Sequence, residues 1–348
     1  MTDLLTLSPK MKEEWILQEY DFYPRKVESI QSVKKITCDL GVFALKKAKV
    51  NVEQISFVND CLAHLRKEQF PHVIPLVHNK YGDPFVHLDG DIYYVTPWME
   101  HDTEQRQSVS EEVLLQMMGK LHRLTTNIGH LQQNDHSLKP DLLIKRWEER
   151  LKEMRDYKQF ASSRDLMSPI EESFVARFTY LQKLGARACQ LLSDWNQGVQ
   201  AEERRSVLCF GRFQRKHLVY SEDQVYLDHL EQITLDSPAR DLALFYRRHG
   251  DRLLENKTLA KSWLNSYEAE FPLLESEKWL LSIYLQFPEG VFKEIELYYR
   301  GERDWTPQKR LLYFERQLQI IQRFQHFGKE IFQKTLNHHD KKGLSEKS

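Results

Sequence analysis

Phosphate chemistry could be built in this chain from a lysine and an aspartate that each follow a short apolar run. Lys46 ends the run Val42-Phe43-Ala44-Leu45-Lys46, and Asp228 follows Gln224-Val225-Tyr226-Leu227. A strand lysine offers a point charge to phosphate oxygens, and a carboxylate just past a strand offers an oxygen ligand to Mg²⁺. Phosphoryl transfer also needs an acceptor-side group that takes up a proton. The loop after Val207-Leu208-Cys209-Phe210 supplies Gly211 and Arg212, and later His217. A guanidinium keeps its proton in a protein and accepts no hydrogen bond. Imidazole is a poor ligand for Mg²⁺. Plainer roles stand beside these: Lys46 as a polar strand residue, Asp228 as a structural acid paired with a nearby base such as Arg212, and Arg212, Arg215 and Lys216 as a solvated basic loop.

The elements that must position these groups follow from periodicity. Short alternating runs predict strands over 27–30, 33–38 and 42–46, with Asp39-Leu40-Gly41 as a turn. Asn51, with Glu53 in the first turn, opens a helix over 51–68 whose Ile55, Val58, Leu62 and Leu65 share a face. Phe70-Pro71 ends it. Further strands are expected near 74–78, 84–88 and 92–96, leading into Pro97-Trp98-Met99-Glu100. An amphipathic helix over 12–20 is expected to pack on this region. Beyond residue 105 helical spacing dominates, from Ser110 as an N-cap onward and over 139–158, 170–199, 257–268, 274–286 and 305–335. The hairpin region 207–236 interrupts it, and Pro238-Ala239-Arg240-Asp241 opens another apolar helix. The expected class is α+β: an N-terminal lobe over 1–100, a helical lobe over 101–335, and a polar tail over 336–348.

Composition removes several function classes. With 50 basic and 51 acidic side chains and a net charge of −1, there is no global attraction for nucleic acid or an anionic membrane. The four cysteines, Cys38, Cys61, Cys189 and Cys209, show neither zinc-site spacing nor a disulfide framework. No apolar run approaches the roughly 20 residues of a membrane span. The N-terminus is broken by Pro9 and charged early, unlike a signal peptide.

A small sheet with one helix, a connecting segment and a helical lobe holding one hairpin together resemble the protein-kinase-like fold of aminoglycoside and choline kinases. The resemblance implies His-Gly-Asp where Phe210-Gly211-Arg212 stands, so that Arg212 occupies the position of the catalytic acid. It likewise implies Asn where His217 stands. Asp228 falls on the metal-loop carboxylate, Lys46 on the phosphate-facing lysine, and Trp98 and Met99 on the nucleotide hinge. Arg240-Asp241-Leu242 matches a fold-stabilising motif. The lysine's helical carboxylate partner is less clear, because Glu53 is the only early acid and register puts the partner on Phe57 or Val58. No glycine precedes Gly41, so a glycine-rich phosphate loop is missing.

A narrower resemblance runs over about 20–330. Leu45-Lys46, His64-Leu65-Arg66, Phe70-Pro71, Tyr94-Val95-Thr96-Pro97-Trp98, Lys120-Leu121-His122, Asp236-Ser237-Pro238-Ala239-Arg240-Asp241-Leu242, Tyr284-Leu285-Gln286-Phe287-Pro288-Glu289 and Tyr298-Tyr299 are similar to the CotS-type spore-coat proteins of endospore-forming bacilli. The resemblance implies synthesis in the mother-cell cytoplasm, followed by association with other spore-coat proteins. The function expected on these residues is that of a catalytically impaired, kinase-like coat protein, for which ATP and Mg²⁺ are not required. The alternatives are an active ATP-dependent phosphotransferase on a small hydroxylated molecule and a non-catalytic nucleotide-binding switch.

Overall fold

The structure, a computed structural model, describes residues 8–100, 108–126, 128, 139–211, 213–221 and 224–345. The chain divides into two compact units, one built on a sheet and one on helices. The expected α+β class holds.

In the sheet unit, helix α1 (Pro9–Glu19) begins with Ser8 accepting the Met11 N–H and with Pro9 in the first turn. Strands β1 (Pro24–Ile30), β2 (Val33–Cys38) and β3 (Gly41–Ala48) follow, then helix α2 (Val52–Lys67), β4 (Val86–Leu88) and β5 (Asp91–Pro97). The sheet order is β1-β2-β3-β5-β4, antiparallel throughout. Gly41, at φ +132°, makes the tight turn into β3 that a side chain would strain. Asn51 caps α2 by accepting the Gln54 N–H at 2.9 Å, as its sequence predicts.

Strand alternation decides which way Lys46 points. Leu45 enters a core with Ile16 and Leu17 of α1, Ile36 and Val95, so α1 covers that face. Ala44, Lys46 and Ala48 occupy the other face, all buried. The strand expected near 74–78 is not formed. Pro75 lacks a ladder donor there, and Val77 makes only an isolated bridge to Val95.

The same unit contains the antiparallel hairpin of Leu218–Ser221 and Gln224–Leu227. Leu227 donates to the carbonyl of His72 at 2.8 Å, which anchors the residue just before Asp228. Arg215 donates from Nε to the carbonyl of Val109 at 2.7 Å, so this member of the basic cluster is tied down.

The second unit is mainly helical and carries the short strand Val207–Cys209, which belongs to a two-stranded sheet with Thr234–Asp236. Its helices include Glu111–Leu124, Pro140–Ser162, Pro169–Gly198, Pro238–Arg248, Leu259–Glu268, Glu275–Gln286, Glu289–Tyr299 and Pro307–Ser345. The Glu289–Tyr299 helix lies where periodicity predicted none, starting directly after Pro288 and burying Val291, Phe292 and Ile295. Of the apolar residues of the last helix, Phe314, Leu318, Ile321 and Phe324 are buried, Leu311 is partly buried and Leu312 is exposed.

Helix Glu111–Leu124 lies close against Leu259–Glu268 at Gly119. A Cβ there would sit 2.9 Å from the Tyr267 carbonyl oxygen and 2.8 Å from Glu270 Cβ. Backbone cannot step aside as a side-chain tip can, so Gly119→Ala is expected to cost about 1–3 kcal/mol by overpacking. Urea denaturation checks this, and an unchanged midpoint would show that the two helices separate freely.

Candidate functional site

In the sheet unit, Lys46 Nζ lies 2.5 Å from Asp228 Oδ1. The same oxygen accepts the His229 N–H at 2.8 Å. His229 takes a left-handed backbone, φ 62°, which turns the chain sharply after the hairpin. Its ring lies between two carboxylates, with Nε2 3.6 Å from Asp228 Oδ2 and Nδ1 3.6 Å from Glu231 Oε1. His217 meets that ring edge-on, centroids 5.9 Å apart. Tyr94, opposite Lys46 in the β3–β5 register, donates its hydroxyl to Glu231 Oε2 at 3.3 Å.

These contacts set the charge states. Burial acts to raise the Asp228 carboxyl, but Lys46 and His229 outweigh it and hold the group below its ordinary value. The hydrogen bond to Glu231, which outweighs burial, raises the His229 imidazole, with Asp228 adding to the effect. Burial pushes the Tyr94 phenol well up, so it stays a hydrogen-bond donor.

A cavity of about 360 Å³ in this unit is lined by the β1–β2 turn at Ile30, Gln31, Ser32 and Val33, by Lys46, Trp98, Met99, Asp228 and His229, and by Ala44 and Val219. Lys46, Trp98, Met99 and Asp228 therefore share one cavity. His217 touches it through His229. Arg212 lies outside the described residues. The turn that borders the cavity carries no glycine, and Gln31 adopts φ 55° there. Trp98 is not a core residue: its Nε1 donates to Glu100 at 3.0 Å, and Lys35 lies 4.6 Å over its ring.

Helix α2 supplies no carboxylate to Lys46. Ile55, Val58 and Leu62 form the wall beside the lysine, while Glu53 is exposed. Gln54 instead donates to the carbonyls of Glu231 and Ile233, at 3.2 and 2.8 Å, fixing α2 to the turn after Asp228. The acid that holds Lys46 is thus Asp228, and Lys46 is a base that pairs with Asp228. For Mg²⁺ this donor set offers chiefly the second Asp228 oxygen, 3.6 Å from His229 Nε2. One Asp228 oxygen is engaged by Lys46 and His229, Glu231 is engaged by Tyr94, and His217 offers nitrogen.

In the helical unit, Asp241 frames the loop that follows strand Val207–Cys209. Its Oδ2 accepts the Phe210 N–H at 2.8 Å and its Oδ1 the Gly211 N–H at 2.7 Å. His122 Nε2 lies 3.4 Å from the same carboxylate, and its Nδ1 is 2.8 Å from the Tyr267 hydroxyl. Thr125 accepts the Leu208 N–H at 3.1 Å and donates to the Leu121 carbonyl. Candidate ligand atoms of His122, Cys209 and Asp241 lie within 4.8 Å of one another, yet all three residues are buried, and Cys209 donates to the Ser237 carbonyl at 3.4 Å. Within the Arg240-Asp241-Leu242 motif, Asp241 therefore acts on backbone, holding the amides of Phe210 and Gly211.

Residues 13–331 match the family model described as "Spore coat putative kinase YutH". The chain belongs to this YutH family. It is 25% identical over 336 residues to spore coat protein S of Bacillus subtilis (strain 168), covering 86% of this chain and 89% of that one. Among solved structures it is similar to an aminoglycoside phosphotransferase from Alicyclobacillus acidocaldarius, with TM-score 0.76 and 18% identity over 95% of this chain and 97% of that one. It is also similar to spectinomycin phosphotransferase APH(9)-Ia, solved with ADP and spectinomycin, with TM-score 0.62 and 15% identity over 92% and 98% of the two chains. The YutH-family chain is thus a kinase-like spore-coat protein with the aminoglycoside-phosphotransferase fold.

Sequence reasoning missed Tyr94, His229 and Glu231 in this member of the YutH family. The available signal was Asp228-His229-Leu230-Glu231, two acids bracketing a histidine directly after a strand. Tyr94 could be found only by registering β5 against Lys46. Among the described residues, no helix is long and apolar enough to cross a membrane.

Proposed function

We propose that this chain is a catalytically impaired kinase-like protein that serves assembly of the endospore coat through its surface, after synthesis in the mother-cell cytoplasm. The observation that carries the proposal is Arg212: the loop's backbone frame is kept by Asp241 while the acceptor-side acid is replaced by a group that cannot take a proton. Losing a general base costs roughly 10²–10⁴ in rate. His217 and the Lys46–Asp228 pair support the same reading, since one removes an oxygen ligand for Mg²⁺ and the other engages one oxygen of Asp228. The partners on this reading are other coat proteins.

The cavity beside Lys46, Trp98 and Met99 favours a second reading, in which ATP binds without transfer. On full-length protein, ATP turnover over a panel of hydroxylated small molecules is expected to fall at least about 100-fold below the ~1–100 s⁻¹ of working kinases. Turnover in that range would establish an active phosphotransferase and end the proposal. Melting temperature with ATP and Mg²⁺ separates the two readings. A ligand bound to the native state alone must raise it. A rise abolished by Asp228→Ala supports the nucleotide-binding reading, and no rise leaves the structural role.

A further inference from the structure

A second cavity, about 410 Å³, opens within the helical unit, where helix Pro140–Ser162 meets helix Pro238–Arg248 and the Tyr284 and Glu289 segment. Arg146, Arg150, Arg240 and Arg247 all line it, with Glu149, Glu153 and Glu289 as the acids. The arginines are not equally neutralised. Arg150 pairs with Glu296 at 2.9 Å and Glu289 at 3.5 Å, and Arg240 faces Asp236 at 3.6 Å. Arg247 hydrogen-bonds the Tyr284 carbonyl, a neutral acceptor. Among the described residues, no carboxylate lies within ion-pair distance of Arg146 or Arg247. Glu149 and Glu153 are exposed and engaged with neither.

Arg247 is therefore a partly exposed cation with no carboxylate at ion-pair distance among the described residues. Burial presses its guanidinium below the ordinary value, and Glu289 opposes this only in part. Arg146 adds like charge one turn from Arg150, an arrangement that costs free energy on an isolated helix. Two guanidinium groups at one cavity, neither paired with a carboxylate among the described residues, are complementary to an anion. A guanidinium fork matches the planar oxygens of carboxylate and the edge of phosphate. Trp147, held by stacking on Phe287 at 4.4 Å, and Tyr284 add an aromatic wall for an apolar remainder. The volume lies in the range of small-molecule sites.

We propose that this cavity binds a small organic anion, whose carboxylate or phosphate group is held between Arg146 and Arg247. The site is independent of whether the sheet unit binds nucleotide or transfers phosphate. Isothermal titration of the full-length chain tests it, with inorganic phosphate and malonate as separate probes at an ionic strength fixed with chloride. Saturable binding of at least one probe is expected, and the stronger one names the anionic group. Arg146→Ala and Arg247→Gln are each expected to weaken binding roughly ten-fold, the loss of one charge-assisted contact. Arg146 is exposed, so its variant keeps the test open if Arg247→Gln fails to fold by circular dichroism. Lys46→Ala, in the sheet unit, should leave the titration unchanged. Absence of saturable binding with either probe overturns the site, as does binding that survives the arginine changes and is lost with Lys46→Ala.

Discussion

Asp241→Ala is expected to destabilise the protein by about 3–5 kcal/mol, a large fraction of the stability of an ordinary domain. The carboxylate is fully buried and accepts the N–H groups of Phe210 and Gly211, with His122 alongside. Truncation strands both backbone donors away from water, each at a cost of about 1–3 kcal/mol. His122 keeps only its contact with Tyr267. Asp241→Asn isolates the role of charge, because the amide can accept one N–H but presents its own N–H₂ to the other. It should cost less than alanine and more than a surface exchange. Denaturant unfolding followed by circular dichroism measures both. A loss under about 1 kcal/mol for Asp241→Ala would mean that the loop is held by something else.

That frame explains how much of the molecule its sequence revealed. Arg240-Asp241-Leu242 is a local string, so its resemblance to the kinase-like motif alone implied its structural role. Lys46 likewise sits on a strand whose alternation with Leu45 fixes its face. The partner of Asp228 was not legible, because the Lys46–Asp228 contact spans 182 residues of sequence and depends on the anchoring of Leu227 to His72. Glu53 looked eligible as a helical acid, but the face of α2 beside the lysine belongs to Ile55 and Val58, whose burial is worth more than one exposed charge pair. The helix at Glu289–Tyr299 was hidden because Phe287-Pro288 reads as a terminator, and proline also suits a helix start. The arginine-lined cavity gathers its residues from two helices, and which of them lack a carboxylate, Arg146 and Arg247, shows only when every neighbouring acid is placed.

Asp236 should make stability fall as pH rises from about 4 to beyond 6. Burial lifts its carboxyl from 3.8 to about 6, against the opposing pull of Arg240. Its Oδ1 accepts the Ser237 N–H at 2.6 Å, whereas Oδ2 has no hydrogen-bond partner among the described residues. The native state therefore binds this proton more tightly than the unfolded chain does. The resulting stabilisation is complete below the unfolded pKa and is lost as pH climbs through the folded one. At about 1.36 kcal/mol per pKa unit, the loss by pH 8 is roughly 2–3 kcal/mol. Asp236→Asn removes the titration while keeping an oxygen for Ser237. The unfolding free energy of the variant minus that of wild type, measured from pH 4 to 8, should rise by that amount, since every other group titrates in both proteins. Parallel curves would show that Arg240, at 3.6 Å, neutralises the carboxylate fully and that Asp236 is ionised throughout.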